Sequence, residues 1–229
     1  MKRLLLSLVF LGAALAPPAG AADSVCYGSS SKGRLEGGVR LPDGGTNFEP
    51  YSRLGVQLGR THVHSAVART LLDAYAVLAL ARPATRYVYG ETGWAKGGRI
   101  RPHRTHQNGS AVDLMVPVLN VEGRSVPLPS HAGNKFGYAV EFDAAGRAAD
   151  LRIDFEAIAD HLAALHTAAQ KNGIRIERVI IEPAYIPLLG GARQGEFIKR
   201  HIPFMQGKAW IRHDEHYHVD FTLPCRPLI

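Results

Sequence analysis

The spacing of hydrophobic residues along the chain predicts two amphipathic helices, at residues 64–81 and 154–172. Each stretch places apolar side chains three or four positions apart, which is the spacing of one buried helical stripe. Pro83 is expected to stop the first helix, and Asp154 and Gly173 are typical of the start and the end of the second. The apolar positions are Val67, Leu71, Leu72, Tyr75, Leu78 and Ala79 in the first helix, and Phe155, Ile158, Leu162, Leu165 and Ala169 in the second.

Shorter apolar runs predict several strands that are mostly not adjacent along the chain. Strands of this kind, combined with two helices, predict an α+β fold in which a small, mostly antiparallel sheet is flanked by helices. Residues 90–109 form a glycine-rich polar loop of the kind on which functional sites are built. Residues 143–146 are a candidate hairpin turn, and an N-terminal segment at about residues 22–59 is expected to be irregular. The strands are predicted at residues 86–89, 111–118, 174–181 and 216–223.

The N-terminus has the features of a secretory signal peptide at residues 1–21. Lys2 and Arg3 precede a short apolar run, and the small residues up to Ala21 form a cleavage signal. Cleavage there leaves residues 22–229 as one domain of an exported, periplasmic protein. An uncleaved N-terminal anchor is the alternative. No other stretch has the length of apolar residues that a transmembrane helix needs.

The two cysteines, Cys26 and Cys225, lie near the two ends of the mature chain. In an exported protein, a low and even number of cysteines predicts one disulfide that joins the termini. Free thiols or metal ligands are the alternative, which is disfavoured because neither cysteine has a Cys or His at metal-binding spacing. Removal of Lys2 and Arg3 with the signal peptide lowers the formal net charge from +7 to +5, and a basic exported protein suits an anionic polymer such as a cell wall, or a membrane surface. A nucleic acid is disfavoured as a partner because no basic run is interleaved with aromatic residues.

The last predicted strand carries the strongest candidate chemistry. Side chains alternate along a strand, so His216, His218 and Asp220 share a polar face, whereas Tyr217 and Val219 belong to the apolar face that is expected to contact the core. Two histidines on one polar face fit a metal ligand beside a general base better than they fit core packing.

A second candidate group consists of His106 and Asp113. His106 ends the glycine-rich loop and Asp113 lies early in the following strand, so the two side chains can converge on one point. Together with His218 they supply two imidazoles and one carboxylate, which is the ligand set of a hydrolytic zinc ion whose fourth position is open to water. His216 then remains as a candidate general base.

Three segments of this sequence resemble the penicillin-insensitive murein endopeptidases, which belong to a wider group that includes lysostaphin-like and D-alanyl-D-alanine metallopeptidases. The central segment, residues 90–114, reads GETGWAKGGRIRPHRTHQNGSAVDL. Residues 210–219, WIRHDEHYHV, resemble the family's C-terminal block, and residues 178–184, RVIIEPA, resemble the strand and turn before it. The resemblance covers roughly residues 55–225.

By position, the resemblance implies that the family's zinc ligands and its catalytic base are present in this chain. It also implies two further active-site histidines. We assign His103 to metal binding and leave open whether a second metal ion binds there. We assign His213 to catalysis, as a second donor to the oxyanion. Glu91 and Glu182 stand where the family usually has Asp and Asn. The metal residues are His106, Asp113, His218 and His103, and the catalytic residues are His216 and His213.

The resemblance implies a zinc peptidase that hydrolyses D-alanyl cross-links of peptidoglycan. Zinc lowers the pKa of water toward 7, and His216 would take the proton of that water and pass it to the leaving amine. A D,D- or L,D-carboxypeptidase on the same scaffold is one alternative, since only an endopeptidase must accept chain on both sides of the bond. The other is a non-catalytic wall- or metal-binding protein, against which the presence of His216 beside a full ligand set argues. The sequence does not determine the oligomeric state.

Overall fold

A five-stranded sheet with two long helices packed on one face forms the centre of the molecule. The computed structural model describes residues 23–207 and 209–229. The signal peptide predicted at residues 1–21 lies outside the described residues, and its cleavage stays a prediction. Within the described ranges, no helix combines the length and the apolar character that crossing a membrane requires. The predicted α+β class, with small and mostly antiparallel sheets, is confirmed.

The strands and helices of the described residues alternate irregularly along the chain, with the strands concentrated in its N-terminal two thirds. The strands are β1 (Val25–Ser29), β2 (Lys32–Glu36), β3 (Val39–Arg40), β4 (Phe48–Pro50), β5 (His62–Val63), β6 (Tyr87–Tyr89), β7 (Ala111–Met115), β8 (Val118–Leu119), β9 (Ser125–Val126), β10 (Arg147–Ala148), β11 (Leu151–Ile153), β12 (Arg175–Ile180) and β13 (His216–Thr222). The α-helices are α1 (Arg53–Gln57), α2 (Ser65–Ala81), α3 (Phe155–Lys171), α4 (Ile186–Gly190) and α5 (Gly195–His201), and short 3₁₀ helices span Ala132–Gly137 and Pro183–Tyr185.

The central sheet has the strand order β12-β13-β7-β6-β4, so β13 lies between β12 and β7. Only β4 pairs in parallel, with β6, and the other neighbours are antiparallel. In the register of β7 and β13, His218 lies opposite Asp113 and His216 lies opposite Met115. Directly opposite residues of an antiparallel pair project to the same face. The register therefore brings a histidine and a carboxylate of two distant segments together.

Strand β13 separates the hydrophobic core from a buried polar face. Tyr217, Val219 and Phe221 project into the core, where they join the buried side chains of α2 and α3. His216 and His218 project to the other face and are also buried. The predicted division of this strand into an apolar and a polar face is confirmed, but both faces are covered by protein.

The two long helices form where their sequence predicts them. Helix α2 begins after His64, whose side chain accepts a hydrogen bond from the backbone N–H of Ala66 at 3.2 Å. Helix α3 begins after Asp154, whose carboxylate accepts from the N–H of Ala157 at 2.9 Å. Gly173 follows α3 with a φ of +72°, a left-handed conformation that glycine adopts without steric cost. Local capping and apolar spacing together fix these boundaries.

The prediction of an irregular segment at about residues 22–59 is wrong. This segment contains the β1–β2 hairpin, the helix α1 and the strand β4, which forms the edge of the central sheet. The strands are only two to five residues long, so alternation cannot be recognised within them. Their structure depends on pairing with distant residues, such as that of β4 with β6, which local sequence does not reveal.

Two other predicted boundaries differ from the structure. The strand predicted at residues 111–118 ends at Met115, and Val118 begins the strand β8 of a separate four-stranded sheet. Pro117 lies between them and has no N–H to continue the sheet ladder. A tight turn is present at residues 143–146, where the N–H of Gly146 donates to the carbonyl of Asp143, but the strands β10 and β11 pair across residues 149–150 instead.

The predicted disulfide between Cys26 and Cys225 is confirmed. It joins β1 to the segment after β13, and the backbone N–H of Arg226 donates to the carbonyl of Cys26 at 2.9 Å beside it. The sequence separation is 199 residues. In the loop-entropy model, closing a loop of that length lowers the entropy of the unfolded chain and so stabilises the folded state by about 5 kcal/mol.

Candidate active site

The polar face of β13 and the neighbouring loops bring together all six residues that the sequence predicts for the site. The histidine rings follow one another closely, with centroids 5.0 Å apart for His103 and His106, 4.8 Å for His106 and His218, and 4.6 Å for His213 and His216. Asp113 lies among them. Five of the six line one cavity of about 560 Å³, and His106 is fully buried behind it.

Asp113 is the centre of this group. Its Oδ1 accepts a hydrogen bond from Nδ1 of His218 at 2.8 Å, and it lies 3.9 Å from Nε2 of His216. Its Oδ2 accepts from the hydroxyl of Tyr138 at 3.1 Å. Burial alone would raise the pKa of Asp113, but the neighbouring His106 and His216 outweigh it and hold that pKa well below the usual value. Asp113 is therefore a carboxylate surrounded by imidazoles.

His106 is held in an unusual backbone conformation. Its φ is +70°, in the left-handed region that side chains other than glycine rarely adopt. Such conformations cluster at functional sites, where the surrounding structure holds them. Gly93 packs on this residue so closely that a Cβ atom at Gly93 would lie 2.7 Å from the carbonyl oxygen of His106. The loop that the sequence identifies as glycine-rich thus includes a glycine that the position of His106 requires.

The atoms between His106 and Asp113 fit a metal cation. Nδ1 of His106 lies 3.2 Å from the carbonyl of Ala111, which can only accept, so Nδ1 carries the proton and Nε2 is left as an acceptor. Nε2 is buried, has no hydrogen-bond partner, and lies 3.2 Å from Oδ1 of Asp113. Burial lowers the pKa of His106, which favours its neutral ring. Two hydrogen-bond acceptors that face each other at this distance can both donate a lone pair to a bound cation. Together they form a metal-ligand donor set.

His103 extends this donor set on the side of the cavity. The ligand atoms of His103, His106 and Asp113 all lie within 4.8 Å of one another. Nδ1 of His103 is 3.5 Å from Oδ2 of Asp113, and its Nε2 is 2.7 Å from Oε2 of Glu91. Burial would raise the pKa of Glu91, but contacts with His103 and Arg60 lower it to about 2. Glu91 is thus an ionised partner of His103.

His218 faces a carboxylate with each ring nitrogen. Nδ1 donates to Asp113, and Nε2 lies 3.2 Å from Oδ1 of Asp220 without the direction of a hydrogen bond. Asp220 is itself bound to the guanidinium of Arg178. Burial would lower the pKa of His218, but the two neighbouring carboxylates of Asp113 and Asp220 raise it to about 9. The ring is therefore fixed in orientation, with Nδ1 toward the donor set.

His216 and His213 line the cavity beside the donor set. Nδ1 of His216 donates to Oε1 of Glu215 at 2.8 Å, which leaves Nε2 on the side of Asp113. Nδ1 of His213 donates to the carbonyl of Ile211 at 2.8 Å. Burial, and then the charge of His216, lower the pKa of His213 to about 4. His213 is accordingly neutral at neutral pH, with Nε2 as an acceptor.

Sequence reasoning placed four residues that contact the site outside its site assignment, namely Glu91, Tyr138, Asp220 and Glu215, the last of which was only the next candidate for the base after His216. A signal existed for two of them, because Asp220 shares a strand face with His218 and Glu215 is next to His216. No feature of the sequence indicated a role for Tyr138. It comes from a polar segment after the 3₁₀ helix, and its hydroxyl connects Asp113 with the backbone N–H of Glu91.

The cavity is mainly apolar, with positive charge at its rim. Apolar atoms come from Ile180, Met205 and Trp210, and cationic groups come from Arg104 and Lys135. The guanidinium of Arg104 lies 4.9 Å from the ring centre of Trp210. In the part of the chain that the structure describes, neither Arg104 nor Lys135 forms a salt bridge with an acidic residue. The charges are therefore available to an anionic ligand.

Comparison with known proteins gives one family. The family model described as penicillin-insensitive murein endopeptidase matches residues 26–227, which is nearly the whole chain. A search of curated proteins found no match. The matched range includes all six site residues as well as Cys26 and Cys225.

Proposed function

Because the chain belongs to the penicillin-insensitive murein endopeptidase family, we propose that it is a zinc-dependent peptidoglycan endopeptidase that hydrolyses D-alanyl cross-link amide bonds. The observation that carries this proposal is the convergence of His106, Asp113 and His218 at one side of a cavity. There the unpartnered Nε2 of His106 faces the carboxylate of Asp113. Such a donor set belongs to a hydrolytic metal site and has no evident use in packing.

His106, Asp113 and His218 would hold the zinc ion, with His103 close enough to join them or to take part in a second site. A bound zinc ion would polarise the scissile carbonyl and lower the pKa of water toward 7. The protein fixes three of these side chains by a second contact, through Ala111 for His106, Tyr138 for Asp113 and Glu91 for His103. Such outer contacts orient ligands and strengthen metal binding.

His216 is the proposed general base. Its Nδ1 is occupied by Glu215, so Nε2 is the nitrogen that faces the cavity and can accept a proton from the attacking water. The same nitrogen can then return the proton to the leaving amine. His213 is adjacent, but its Nδ1 is bound to Ile211 and its pKa is low. It can donate to the developing oxyanion only when Nε2 is protonated.

The cavity suits a peptide that carries carboxylates. The stem peptides of peptidoglycan have free carboxylates next to their cross-linking amides, and Arg104 and Lys135 offer positive charge at the rim. The apolar walls can receive the methyl groups of alanine and the aliphatic chain of a diamino acid. We accordingly propose that Arg104 and Lys135 contribute to substrate binding.

We also propose that the protein acts in the periplasm. Three features support export, namely the sequence pattern of residues 1–21, which predicts a signal peptide, the disulfide between Cys26 and Cys225, and a family whose substrate is peptidoglycan. Mass spectrometry of the periplasmic form should give a mature N-terminus near Ala22. Recovery of the intact chain, including residues 1–21, would contradict this proposal.

Muropeptide chromatography tests the activity directly. Purified protein is incubated with cross-linked dimers and, separately, with uncross-linked pentapeptide monomers. An endopeptidase converts the dimers into monomers and releases no free D-alanine, whereas a carboxypeptidase releases D-alanine or shortens the monomers. The matched control is His216→Ala, which should be inactive on the dimers. Unchanged dimers with the zinc-loaded wild-type protein would contradict the proposed function.

A further inference from the structure

We infer that Glu215 is a positioning residue, which holds the ring of His216 with Nε2 directed to the reacting centre. This inference rests on the proposed function, because it concerns the proposed base. The alternative is that Glu215 is itself the base.

The contact between Glu215 and His216 has the geometry of a hydrogen bond. Oε1 of Glu215 lies 2.8 Å from Nδ1 of His216, and both side chains are buried. A carboxylate can only accept, so Nδ1 is the donor in this contact and Nε2 is the ring nitrogen on the side of Asp113. In the described part of the chain, this is the only side-chain hydrogen bond that Glu215 makes. Its carboxylate therefore has one partner, which is the nitrogen of His216 that does not face Asp113.

The backbone of Glu215 is fixed by the sheet. Its carbonyl accepts a hydrogen bond from the N–H of Val116 at 3.0 Å, one position beyond the pairing of His216 with Met115. The ladder between β7 and β13 thus continues to Glu215. The sheet hydrogen bond fixes the backbone of Glu215, and the carboxylate of Glu215 in turn holds the ring of His216 at Nδ1. Tyr138 and His213 pack on that ring, with centroids 5.1 and 4.6 Å away.

The neighbouring acid shows that this contact is particular to Glu215. Asp214 points to another part of the molecule, where its Oδ2 accepts from the N–H of Phe142 at 2.7 Å and lies 3.3 Å from Arg212. Two adjacent carboxylates are therefore both buried, but only one reaches the proposed base. Asp214 orders the loop that contains Phe142, and it serves as a matched control.

Glu215 is poorly placed to be the base. Its carboxylate is on the Nδ1 side of His216, whereas the donor set around Asp113 is on the Nε2 side. A base must reach the proton that it removes, directly or through one water. Nε2 of His216 lies on the side of the donor set, 3.9 Å from Oδ1 of Asp113, whereas Glu215, which also lines the cavity, contacts the opposite nitrogen of that ring. A histidine that is oriented by a carboxylate behind it is a recurrent catalytic arrangement.

The test compares Glu215→Gln, Glu215→Ala and the control Asp214→Asn, each prepared as folded, zinc-loaded protein. An amide oxygen can still accept from Nδ1–H, so Gln should retain part of the orientation and Ala none. We expect kcat on cross-linked muropeptides to fall in the order wild type, Gln, Ala, with a loss of about 10–100-fold for Ala. KM and zinc content should stay near wild type, and Asp214→Asn should lower thermal stability without changing kcat.

A second readout follows the ring itself. ¹⁵N chemical shifts of His216 should show Nδ1 protonated in the wild type and in Glu215→Gln, and a mixture of tautomers in Glu215→Ala. Equal and complete loss of kcat in Gln and Ala would identify Glu215 as the base and overturn the inference. So would a kcat for Ala within twofold of the wild type. An inactive but zinc-loaded wild type would instead refute the proposed function, and the ¹⁵N shifts would still report on the orientation.

Discussion

His161 and His218 lie on opposite sides of the same strand, and both are at most 3% exposed, yet their environments are opposite. His161 extends from α3 on the core side, where Nδ1 contacts the hydroxyl of Tyr217 and the ring packs on Tyr75 and Tyr87. Burial lowers its pKa to about 3. His218 on the polar side faces two carboxylates, and these outweigh burial and raise its pKa to about 9.

The comparison shows that burial alone does not identify a functional histidine. Each of the two histidines has an Nε2 that lacks a hydrogen-bond partner. On the core side, this nitrogen is surrounded by aromatic rings, which offer no metal ligand. On the polar side, Nε2 of His218 lies 3.2 Å from a carboxylate oxygen of Asp220, and Nδ1 of the same ring contacts Asp113. These charged neighbours, contributed by β7 and by β13 itself, make that side a candidate for catalysis.

The largest expected effect is on the polar side. Removal of metal by a chelator should reduce turnover of cross-linked muropeptides to background, because the donor set around Asp113 would then hold no Lewis acid. Added Zn²⁺ should restore it. The core-side variant Tyr217→Phe, which changes the residue between His216 and His218, should respond to chelation and zinc as the wild type does. Full activity in the chelated wild type would contradict the proposal that the polar side holds a catalytic metal.

The next effect separates metal binding from proton transfer on that same side. His216→Ala should lower turnover by about 10²–10⁴-fold, the usual contribution of a general base. Its zinc content should stay near wild type, since His216 is 3.9 Å from Oδ1 of Asp113 and is bound to Glu215 instead. Steady-state assays and elemental analysis of one preparation give both numbers. If the variant keeps most of its activity, His216 is not the base.

A smaller effect is expected from the core side, and it concerns stability. Phe221→Ala should lower the free energy of unfolding by about 3–5 kcal/mol, because the side chain is 2% exposed within the hydrophobic core. Chemical denaturation measures this loss. The zinc content of the folded variant should equal that of the wild type. Loss of zinc at a temperature where the variant is folded would show that the two faces are not independent.

The smallest expected effect is on the pH dependence of stability, and it arises from the low pKa of His161. The unfolded chain takes up a proton at this histidine near pH 6.5, whereas the folded protein does so only near pH 3. Its contribution to stability is thus complete above pH 6.5 and falls by about 1.4 kcal/mol per pH unit as the pH drops toward 3. Between pH 6.5 and 5, the wild type should therefore lose about 2 kcal/mol more than His161→Phe. Parallel curves of unfolding free energy against pH for the two proteins would refute the low pKa.

Local sequence patterns were sufficient to predict the two long helices and the separation of β13 into an apolar and a polar face. The boundaries of α3 follow from apolar spacing, the cap at Asp154 and the glycine that follows. The opposite faces of Tyr217 and His218 follow from strand alternation alone. These features depend on residues that are close in the sequence.

Contacts between distant segments were beyond what these patterns could give. The register that places His218 opposite Asp113 depends on the pairing of β13 with β7, more than a hundred positions apart in sequence. The convergence of His106 with Asp113 was predicted, but the contacts of Glu91 and Tyr138 were not, because each comes from a loop whose path is set by tertiary packing. The strand β4 was missed for the same reason.

Zinc stoichiometry tests the central claim, that the polar side of β13 holds a catalytic metal, most directly. Elemental analysis should find about one tightly bound zinc per chain in the wild type and in the core-side variant His161→Phe. The double variant His106→Ala, His218→Ala should contain essentially none while remaining folded by circular dichroism. Zinc absent from carefully prepared wild-type protein, or unchanged in the double variant, would contradict the account.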